Sequence, residues 1–550
     1  MKKKPYEWQK KAVTEKAKEE FFMLNCSCGL GKTFTFIDIV KKHTLPKIVI
    51  APNNICHQWK DELMDEGIKE NMIWVFSQQN MTKKPVDYRQ RFIQWANNGG
   101  QYLIMPTQVF GLGVKQHKVK GVGLLPVIVQ LFLGIHKHNI FCVLDESSWI
   151  KANVPAKKQL SARSIMIQLL GSLVAYRAAG TGTLMSKSPM NMYDQFNFLK
   201  PGFFPETRDQ FFQRYTITKQ YFYSGRTTIT AINKEEFFAI QSFLKHPSWG
   251  MTKFTGKTKE QNLDSNKIFM MASKYKLSAS DVELIVAADR YWPYRNLDEL
   301  YSRIAPYTVT VKREDVFDIK NDKFVYDPII VNVDLTAEQK AIYKRLVNDG
   351  FSDEFYLGKA QAAELNIRLQ DICIGFEPLK DEDGNVTYRP FKTNPKLEAL
   401  MELLEEIDDK EQVVIWCSRK NAIKSIAERL DKAGISYVKY TGDESAEEKA
   451  EAERLVKEKQ ARVFLGNVDA GSFGLNALKD FNYMIWYCVN DSPERLHQAQ
   501  HRILRGESKT PKFAYTLFCA GTVELKQFQS NKNGEEFIKF RNVKEDFIYV

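Results

Sequence analysis

A short segment of the chain combines glycine, lysine and threonine in the order of a phosphate-binding loop. The segment CSCGLGKT ends at Thr33 and follows an apolar run. In such a loop Gly29 and Gly31 let backbone N–H groups approach a phosphate, Lys32 reaches the β and γ phosphates, and Thr33 holds Mg²⁺. Cys26 stands where the full pattern has its first glycine. An ordinary strand-to-helix turn with an exposed lysine is therefore the alternative.

A pair of adjacent carboxylates follows another apolar run. The segment FCVLDESSWIK places Asp145 and Glu146 at the end of a strand-like stretch. Asp145 can hold Mg²⁺ through water, and Glu146 can orient and deprotonate an attacking water. A solvated Asp-Glu turn is the alternative, but the preceding Gly-Lys-Thr segment favours one shared site for phosphate and metal.

A third group of polar residues lies in the segment ERLHQAQHRILRGESK. Gln498, Arg502 and Arg505 follow one another at steps of four and three residues, so they share one face of a helix. Two arginines on such a face can meet a γ-phosphate as fingers, which are worth ~10³–10⁵ in rate. A basic helix face without catalytic work is the alternative.

Parallel sheets are the elements that would position these residues. Two regions alternate apolar runs with helical patterns, which is typical of parallel sheets covered by helices. In the first region the predicted strands are residues 21–25, 47–51, 101–105, 140–144 and 175–179. In the second region they are residues 412–417, 436–440, 461–465, 483–487 and 513–518. Polar or glycine-rich residues follow the strand ends, where open α/β sheets bind ligands.

Composition limits the class of protein. The chain has 550 residues, of which 44% are hydrophobic, and a net charge of +12 with a pI near 9.0. The length predicts three or four compact units, and the basic surplus favours polyanionic partners such as nucleic acid or an anionic membrane. The sequence has neither an apolar stretch of ~18 residues nor an apolar run behind its basic start, so we expect no transmembrane helix and no secretory signal.

Cysteine usage indicates the redox compartment. The chain has 8 cysteines, of which only Cys26 and Cys28 are close in sequence. Because no second pair completes a zinc site, we expect no structural zinc. We predict a reducing, cytosolic-type compartment.

The order of the motifs resembles that of the superfamily 2 helicase-type ATPases, specifically the Swi/Snf-type DNA translocases. PYEWQKKAV resembles the adenine-sensing motif, with Gln9 at the matching position, and IVIAPNNICHQWKDEL resembles the motif that carries Pro52 and Trp59. CGLGKT, LDESSWIK and RAAGTGT resemble motifs I, II and III. VVIWCS, DAGSFGLN and QAQHRILR resemble motifs IV, V and VI, and Gln498-Ala499 at the start of the last one favours the DNA-translocating branch over RNA helicases.

The resemblance implies an α/β fold in which two RecA-like parallel-sheet lobes sandwich ATP and Mg²⁺. The expected catalytic residues are Lys32, Asp145, Glu146, Arg502 and Arg505, with Thr33 and Asp145 as metal ligands. The expected nucleotide contacts are Gln9, Cys28, Gly29, Leu30, Gly31, Lys32, Thr33, Gly474 and Gln498. ATP is expected to close the cleft between the lobes, and hydrolysis to reopen it.

Shifts in composition and the resemblance together imply four segments. Residues 190–328 are rich in aromatic residues and lysine with a mostly helical pattern, and residues 335–408 add helices and one polar turn. The expected segments are lobe 1 over 1–200, an aromatic and basic helical insertion that also closes lobe 1 over 201–330, a mainly helical inter-lobe extension over 331–408 and lobe 2 over 409–550.

The resemblance implies that the partner is DNA in its double-stranded form. The protein is expected to contact it mainly through phosphates. Such contacts give little sequence preference and strong salt dependence. The candidate contacts are Asn53, Gln58, Thr183, Ser418, Arg419, Asn467 and Asn476. Turn chemistry after strands is the alternative for these residues.

Four positions depart from the family pattern. Cys26 and Ser27 stand where the family often has acidic or glycine residues, and Leu184 replaces the proline after Thr-Gly-Thr. Ser148 replaces a histidine common after Asp-Glu, which puts in doubt the coupling from that position toward motif III. No departure removes a ligand of phosphate, metal or water.

These features predict a DNA-dependent ATPase that moves along double-stranded DNA and remodels it or displaces bound protein. A strand-separating or branch-migrating helicase is the alternative within the class. An ATP-gated nucleic-acid-binding switch without processive movement is the alternative from another class. The chain looks like a bare motor without appended modules, so we expect a monomer without a membrane partner, in the cytoplasm of a bacterium or a phage-infected cell.

Overall fold

A computed structural model describes most of the chain. The described residues are 4–27, 29–111, 125–150, 161–182, 184–185, 188–223, 226–245, 265–288, 293–317, 329–349, 359–380, 386–468, 477–488, 496, 499–500, 502–503, 510–525 and 527. The chain divides into two compact units. The first contains Met1–Cys26 and Lys32–Val311, and the second contains Ser27–Gly31 and Lys312–Val550.

Strands and helices alternate along both units. In chain order the strands are β1 (Phe21–Cys26), β2 (Lys47–Ala51), β3 (Ile73–Val75), β4 (Tyr102–Pro106), β5 (Phe141–Leu144), β6 (Tyr176–Thr181), β7 (Thr218–Tyr223), β8 (Arg226–Ala231), β9 (Thr308–Val311), β10 (Ile329–Val333), β11 (Phe376–Lys380), β12 (Val386–Pro390), β13 (Val413–Trp416), β14 (Tyr437–Tyr440), β15 (Val463–Gly466), β16 (Tyr483–Trp486) and β17 (Phe513–Cys519). The α-helices are α1 (Glu7–Lys16), α2 (Lys32–Val40), α3 (Cys56–Asp65), α4 (Gln78–Lys83), α5 (Pro85–Asn97), α6 (Val127–Ile135), α7 (Ala162–Leu173), α8 (Met190–Leu199), α9 (Arg208–Tyr215), α10 (Lys234–Leu244), α11 (Ser265–Tyr275), α12 (Ala279–Ala287), α13 (Leu297–Ile304), α14 (Ala337–Asp349), α15 (Lys359–Cys373), α16 (Pro395–Glu406), α17 (Lys420–Lys432) and α18 (Ala446–Lys457).

The first unit is built on a seven-stranded sheet with the order β3-β4-β2-β5-β6-β1-β9. Its neighbouring strands pair in parallel; Met23 of β1, for example, lies opposite Ala179 on one side and Thr308 on the other. Nearly all residues of β1, β2, β4 and β5 are buried, as expected for a parallel sheet covered on both faces. Since parallel strands end at one edge, the ends of β5, β6 and β1 lie side by side there.

An inserted subdomain interrupts the first unit between α9 and α13. It contains the antiparallel hairpin β7–β8 and helices α10, α11 and α12. Its own core includes Ile217, Ile232, Phe237, Ile240, Ile268, Met271, Val282 and Ile285. The chain enters and leaves the subdomain at neighbouring points, because Thr216 forms a bridge with Tyr294 and the Ile217 N–H donates to the Pro293 carbonyl at 2.8 Å.

The second unit is built on a six-stranded parallel sheet with the order β10-β17-β16-β13-β15-β14. The central strand β13 sends Val413 and Ile415 into one core and Val414 and Trp416 into another. Alternation of this kind shows that both faces of the sheet are covered. The antiparallel hairpin β11–β12 and helices α14, α15 and α16 precede β13 in the chain.

The predicted fold class is confirmed, since the chain forms two parallel-sheet α/β lobes. All ten predicted strands are present, with bounds that differ by at most two residues from the predicted ones. The pattern did not predict β3, β9 and β10, nor the hairpins β7–β8 and β11–β12, so the segments thought to be helical also contain strands. The division into four segments stays a prediction.

Two further observations concern the chain as a whole. None of the helices in the described ranges combines the length and the apolar character that a membrane crossing requires. The seven cysteines that the structure describes are buried thiols rather than halves of disulfides.

Candidate active site

Three neighbouring strands end at one edge of the first sheet. β6 lies between β5 and β1 in the sheet order. Lys32 begins α2 after β1, Asp145 and Glu146 follow β5, and Thr181 ends β6. The topology therefore brings together the lysine and the two acids that the sequence singled out.

Lys32 lies against both carboxylates. Its Nζ is 2.6 Å from Glu146 Oε1 and 3.3 Å from Asp145 Oδ1. Asp145 is 1% exposed and Glu146 is only partly exposed, so water screens these charges weakly. The three groups form one cluster in which a single ammonium group offsets part of the negative charge of two carboxylates.

The backbone of Glu146 is held in an uncommon conformation. Its φ is 53°, in the left-handed region that costs a residue with a side chain some energy and that is concentrated at functional sites. The Glu146 N–H donates to Asp145 Oδ1 at 3.0 Å. Oε2 of Glu146 is buried and has no hydrogen-bond partner in the described part of the chain. Because a buried carboxylate oxygen is costly to leave unpaired, it is suited to accept a hydrogen bond from a water or ligand.

The predicted phosphate loop has the backbone shape that its glycines suggest. Gly29 has a φ of 85° and Gly31 a φ of 81°, which glycine adopts without the penalty of a side chain. The Leu30 N–H donates to the Ser27 carbonyl at 3.4 Å and closes the turn. Thr33 lies in the first turn of α2, where the N–H groups and the helix dipole favour an anion.

The residues at this edge fit Mg²⁺ and a nucleotide phosphate. Asp145, Glu146 and Thr33 offer carboxylate and hydroxyl oxygens, which are the ligands that Mg²⁺ prefers. The described residues leave Oε2 of Glu146 without a hydrogen-bond partner. Lys32 offers an ammonium group beside them, the type of charge that binds phosphate oxygens.

Gln9 joins the first helix to the helix that follows the loop. Its Oε1 accepts from the Tyr6 N–H at 2.8 Å, and its Nε2 donates to Thr35 Oγ1 on α2 at 3.2 Å. The side chain is 3% exposed. The structure thus shows Gln9 as a link between α1 and α2, and its predicted contact with a nucleotide base stays a prediction.

A buried hydrogen-bond chain connects the acidic motif to the segment after motif III. The Ser147 hydroxyl donates to Gln195 Oε1 at 2.6 Å, and Gln195 Nε2 donates to the Leu184 carbonyl at 3.0 Å. Ser147 and Gln195 are 0% exposed. The sequence had drawn attention to Ser148, but the neighbouring serine makes the connection. Gln195 carried no sequence signal, because its partner Ser147 is distant along the chain.

Gly180 on β6 packs against Phe36 and against the side chain of Lys32 itself. A Cβ at this position would lie 2.6 Å from the ring of Phe36 and 2.9 Å from Lys32 Cδ. We expect Gly180→Ala to lower the free energy of unfolding by about 1–3 kcal/mol, as overpacking of a core does. Urea unfolding of the variant measures this change.

Gly134→Ala is the matched control for that substitution. Gly134 lies in α6, and a Cβ there would meet no atom within 4 Å. Alanine stabilises a helix interior by about 0.5–1 kcal/mol relative to glycine, so this variant should be as stable as the unaltered chain or more so. Equal stability of the two variants would contradict the close packing at Gly180.

Cys26 has a structural position rather than a reactive one. It ends β1 and is 1% exposed. Burial raises the pKa of its thiol to about 12, so the group is neutral at physiological pH. The residue that breaks the loop pattern is therefore a small apolar side chain at the end of a buried strand, the neighbour of the edge strand β9.

Several predicted residues cannot be placed. Those outside the described residues are Cys28, Thr183, Gly474, Asn476, Gln498 and Arg505. Arg502 is described, and its backbone N–H donates to the Ala499 carbonyl at 3.1 Å. The side chains of Ala499 and Ile503 are buried. The catalytic role of Arg502 and the roles of the other residues stay predictions.

Four of the described candidates for DNA contact follow strands, whereas Gln58 lies within α3. Asn53 is exposed just after β2, and Gln58 Nε2 donates to Glu62 on the same helix at 2.7 Å. In the second unit, three further candidates follow strands. The Ser418 N–H donates to Cys488 Sγ at 3.1 Å, Arg419 donates to Gln370, and the Asn467 N–H donates to the Tyr440 carbonyl at 3.0 Å. The Gln58 bond lies within α3, and the other three join residues distant along the chain, so none of them is local turn chemistry. Contact of these residues with DNA stays a prediction.

One further polar position at the same edge was missed. Thr107 and Gln108 follow β4, which neighbours β2. Thr107 Oγ1 and Gln108 Oε1 are buried without hydrogen-bond partners among the described residues. The polar pair directly after a strand was the available signal, by the same rule that selected Asn53.

Comparison with known proteins finds a family match to one part of the chain. Residues 395–507 match the family described as the helicase conserved C-terminal domain. The chain is 23% identical over 247 residues to the CHD3-type chromatin-remodeling factor CHR7 of Arabidopsis thaliana, a match that covers 43% of this chain and 20% of that protein. It is 28% identical over 139 residues to the DNA repair and recombination protein RAD54B of Gallus gallus, covering 24% of this chain and 15% of that protein.

A solved structure is similar over most of the chain. The Sulfolobus solfataricus SWI2/SNF2 ATPase core in complex with dsDNA shares 18% identity with a TM-score of 0.34, and the match covers 99% of this chain and 94% of that one. The chain matches only about a fifth or less of the length of its curated relatives. Those relatives come from a plant and from vertebrates, so they give no support to the predicted bacterial or phage source.

Proposed function

We propose that this chain is a superfamily 2 helicase-type ATPase of the Swi/Snf type and that it hydrolyses ATP on double-stranded DNA. The energy moves the protein along the duplex and remodels DNA or displaces bound protein. The observation that carries the proposal is the contact of Lys32 with Asp145 and Glu146 at the edge of the first sheet. The matching family and the relatives support the helicase-type class.

The residues of this edge have separate roles in the proposed reaction. Lys32 binds the β and γ phosphates, and Asp145 with Thr33 holds Mg²⁺. Bound Mg²⁺ neutralises charge on the phosphate oxygens. Glu146 orients the attacking water and accepts its proton, for which the buried and unpartnered Oε2 is suited. Arg502 and Arg505 are the proposed arginine fingers.

Charge and kinship support DNA as the partner. The net charge of +12 suits a polyanion. One relative is a DNA repair and recombination protein and another a chromatin-remodeling factor. Phosphate contacts made by basic and polar side chains carry no sequence information, so we expect stimulation by duplexes of any sequence and a steep loss of affinity with salt.

ATP turnover with different nucleic acids tests the proposal. The chain is assayed without nucleic acid and with duplex DNA, single-stranded DNA and RNA. We expect the largest stimulation by duplex DNA, together with displacement of the third strand from a DNA triplex. Stimulation by RNA alone would contradict the proposal. Duplex unwinding would favour the strand-separating helicase, and DNA-stimulated turnover without triplex displacement would favour the ATP-gated switch.

A further inference from the structure

Trp59 forms a buried hydrogen bond with the acidic motif, and the proposed reaction gives this bond no role. Its indole N–H donates to Asp145 Oδ2 at 2.9 Å. Trp59 is 1% exposed and Asp145 is 1% exposed. A hydrogen bond to a carboxylate in a site this dry is charge-assisted and stronger than the same bond in water.

The two oxygens of Asp145 have different neighbours. Oδ2 accepts from Trp59, whereas Oδ1 accepts from the Glu146 N–H at 3.0 Å and lies 3.3 Å from Lys32 Nζ. The indole therefore fixes the orientation of the carboxylate plane, with one oxygen held by Trp59 and the other turned toward the charged cluster. Rotation of the carboxylate about its bond to Cβ would break the bond to Trp59 and leave a buried N–H unpaired, which is costly.

The indole itself is locked by the elements around it. Trp59 lies in α3, which follows β2, and β2 neighbours β5 in the sheet. Its ring stacks on Phe36 of α2 with centroids 6.3 Å apart and an interplanar angle of 29°. Phe36 is 0% exposed and lies in the helix that begins with Lys32. The aromatic pair thus ties the donor to the helix that carries the phosphate-binding lysine.

We propose that Trp59 is a positioning residue that reserves Asp145 Oδ1 for the metal side of the site. The proposal rests on the proposed function, because it requires that Asp145 holds Mg²⁺ beside a nucleotide. Packing alone does not require an indole here, since a phenylalanine ring provides apolar contact with Phe36 without a polar group. The N–H is the feature that the carboxylate uses.

Loss of the N–H should weaken metal-dependent nucleotide binding. Partners that orient a metal ligand typically contribute about 10–100-fold to metal affinity or activity. We therefore expect Trp59→Phe to raise the Mg²⁺ concentration for half-maximal ATP turnover by about 10-fold. The increase in ADP affinity that Mg²⁺ produces should fall by a similar factor, whereas ADP affinity in EDTA should stay unchanged.

Trp74→Phe is the matched control. Trp74 lies on β3, the outermost strand of the same sheet, and its indole N–H donates to the Tyr88 hydroxyl at 3.0 Å. This variant lacks an indole N–H in the first unit, but the hydrogen bonds of Asp145 are unchanged. Its Mg²⁺ dependence should therefore equal that of the unaltered chain. Calorimetric titration with ADP, with and without Mg²⁺, gives a readout besides activity.

The outcomes separate the inference from the proposed function. Unaltered Mg²⁺ dependence in Trp59→Phe, with normal behaviour of the parent chain, would overturn the inference alone. A parent chain without Mg²⁺-dependent ADP binding would overturn both. Where phenylalanine destabilises the fold, 3-benzothienylalanine at position 59 keeps the ring size and removes only the N–H. If Trp59→Phe weakens Mg²⁺-dependent binding, it should add no further loss to Asp145→Asn, because both act on the same ligand.

Discussion

Replacement of Glu146 by glutamine is expected to lower ATP turnover by about 10²–10⁴-fold, the contribution of a positioned general base. Glutamine has the size of glutamate, and it removes the proton acceptor together with the negative charge that faces Lys32. It also tolerates the left-handed backbone at this position, φ 53°, no worse than glutamate does. Nucleotide binding and DNA binding should therefore be retained. Turnover, ADP titration and a DNA mobility shift measure the three properties.

Glu70→Gln is the control for this change. Glu70 forms an ion pair with Lys60 at 2.5 Å on the surface, where its side chain is 65% exposed. Exposed pairs of this kind contribute little, so turnover should not change. If Glu146→Gln kept the turnover of the unaltered chain, Glu146 could not be the base that activates water.

Lys32→Ala is expected to reduce turnover by about 10²–10³-fold, the effect of removing one preorganised donor from a developing charge. It should also weaken ATP binding, which Glu146→Gln should not. The lysine contacts both acids, so its removal leaves the buried Asp145 and the partly buried Glu146 without their cation. Loss of one partner of a buried ion pair is destabilising. We therefore expect a lower free energy of unfolding as well.

Lys60→Ala is the corresponding control, because it removes the cation of the exposed pair with Glu70. Turnover and unfolding should both match those of the unaltered chain. If Lys32→Ala kept the ATP turnover and the nucleotide affinity of the unaltered chain, the Gly-Lys-Thr segment would be an ordinary turn. Stability and turnover are measured on the same samples, which separates a misfolded variant from one that has lost a catalytic group.

The strands of both sheets were predictable because the physics that forms them is local. Buried parallel strands read as short apolar runs, and all ten such runs became strands. β9 is the short segment TVTV, whose two central residues are not buried, and it therefore lacks an apolar signature. β10 has exposed isoleucines at its start. Both strands gain their place from pairing with a neighbour, which a local pattern does not show.

The site was predictable in part for a related reason. Glycines that adopt a left-handed backbone, and acids at the end of a strand, can be recognised from a short stretch of sequence. The bonds of Trp59 to Asp145 and of Ser147 to Gln195 join residues far apart in the chain. Neither tryptophan nor glutamine at those positions signals its partner. The residues that position a catalytic group are thus harder to predict than the group itself.

The paired ends of the inserted subdomain have a consequence for how proteins of this kind can change. Thr216 and Tyr294 are joined by a bridge. The path of the chain before Thr216 and after Tyr294 therefore does not depend on how many residues lie between these two positions. Residues 217–293 also have their own core. A module of this kind can therefore be exchanged for another at this point during evolution, provided that the short crossing from α9 to α13 and the packing of Ile229 and Ala231 on the core of the first unit are kept.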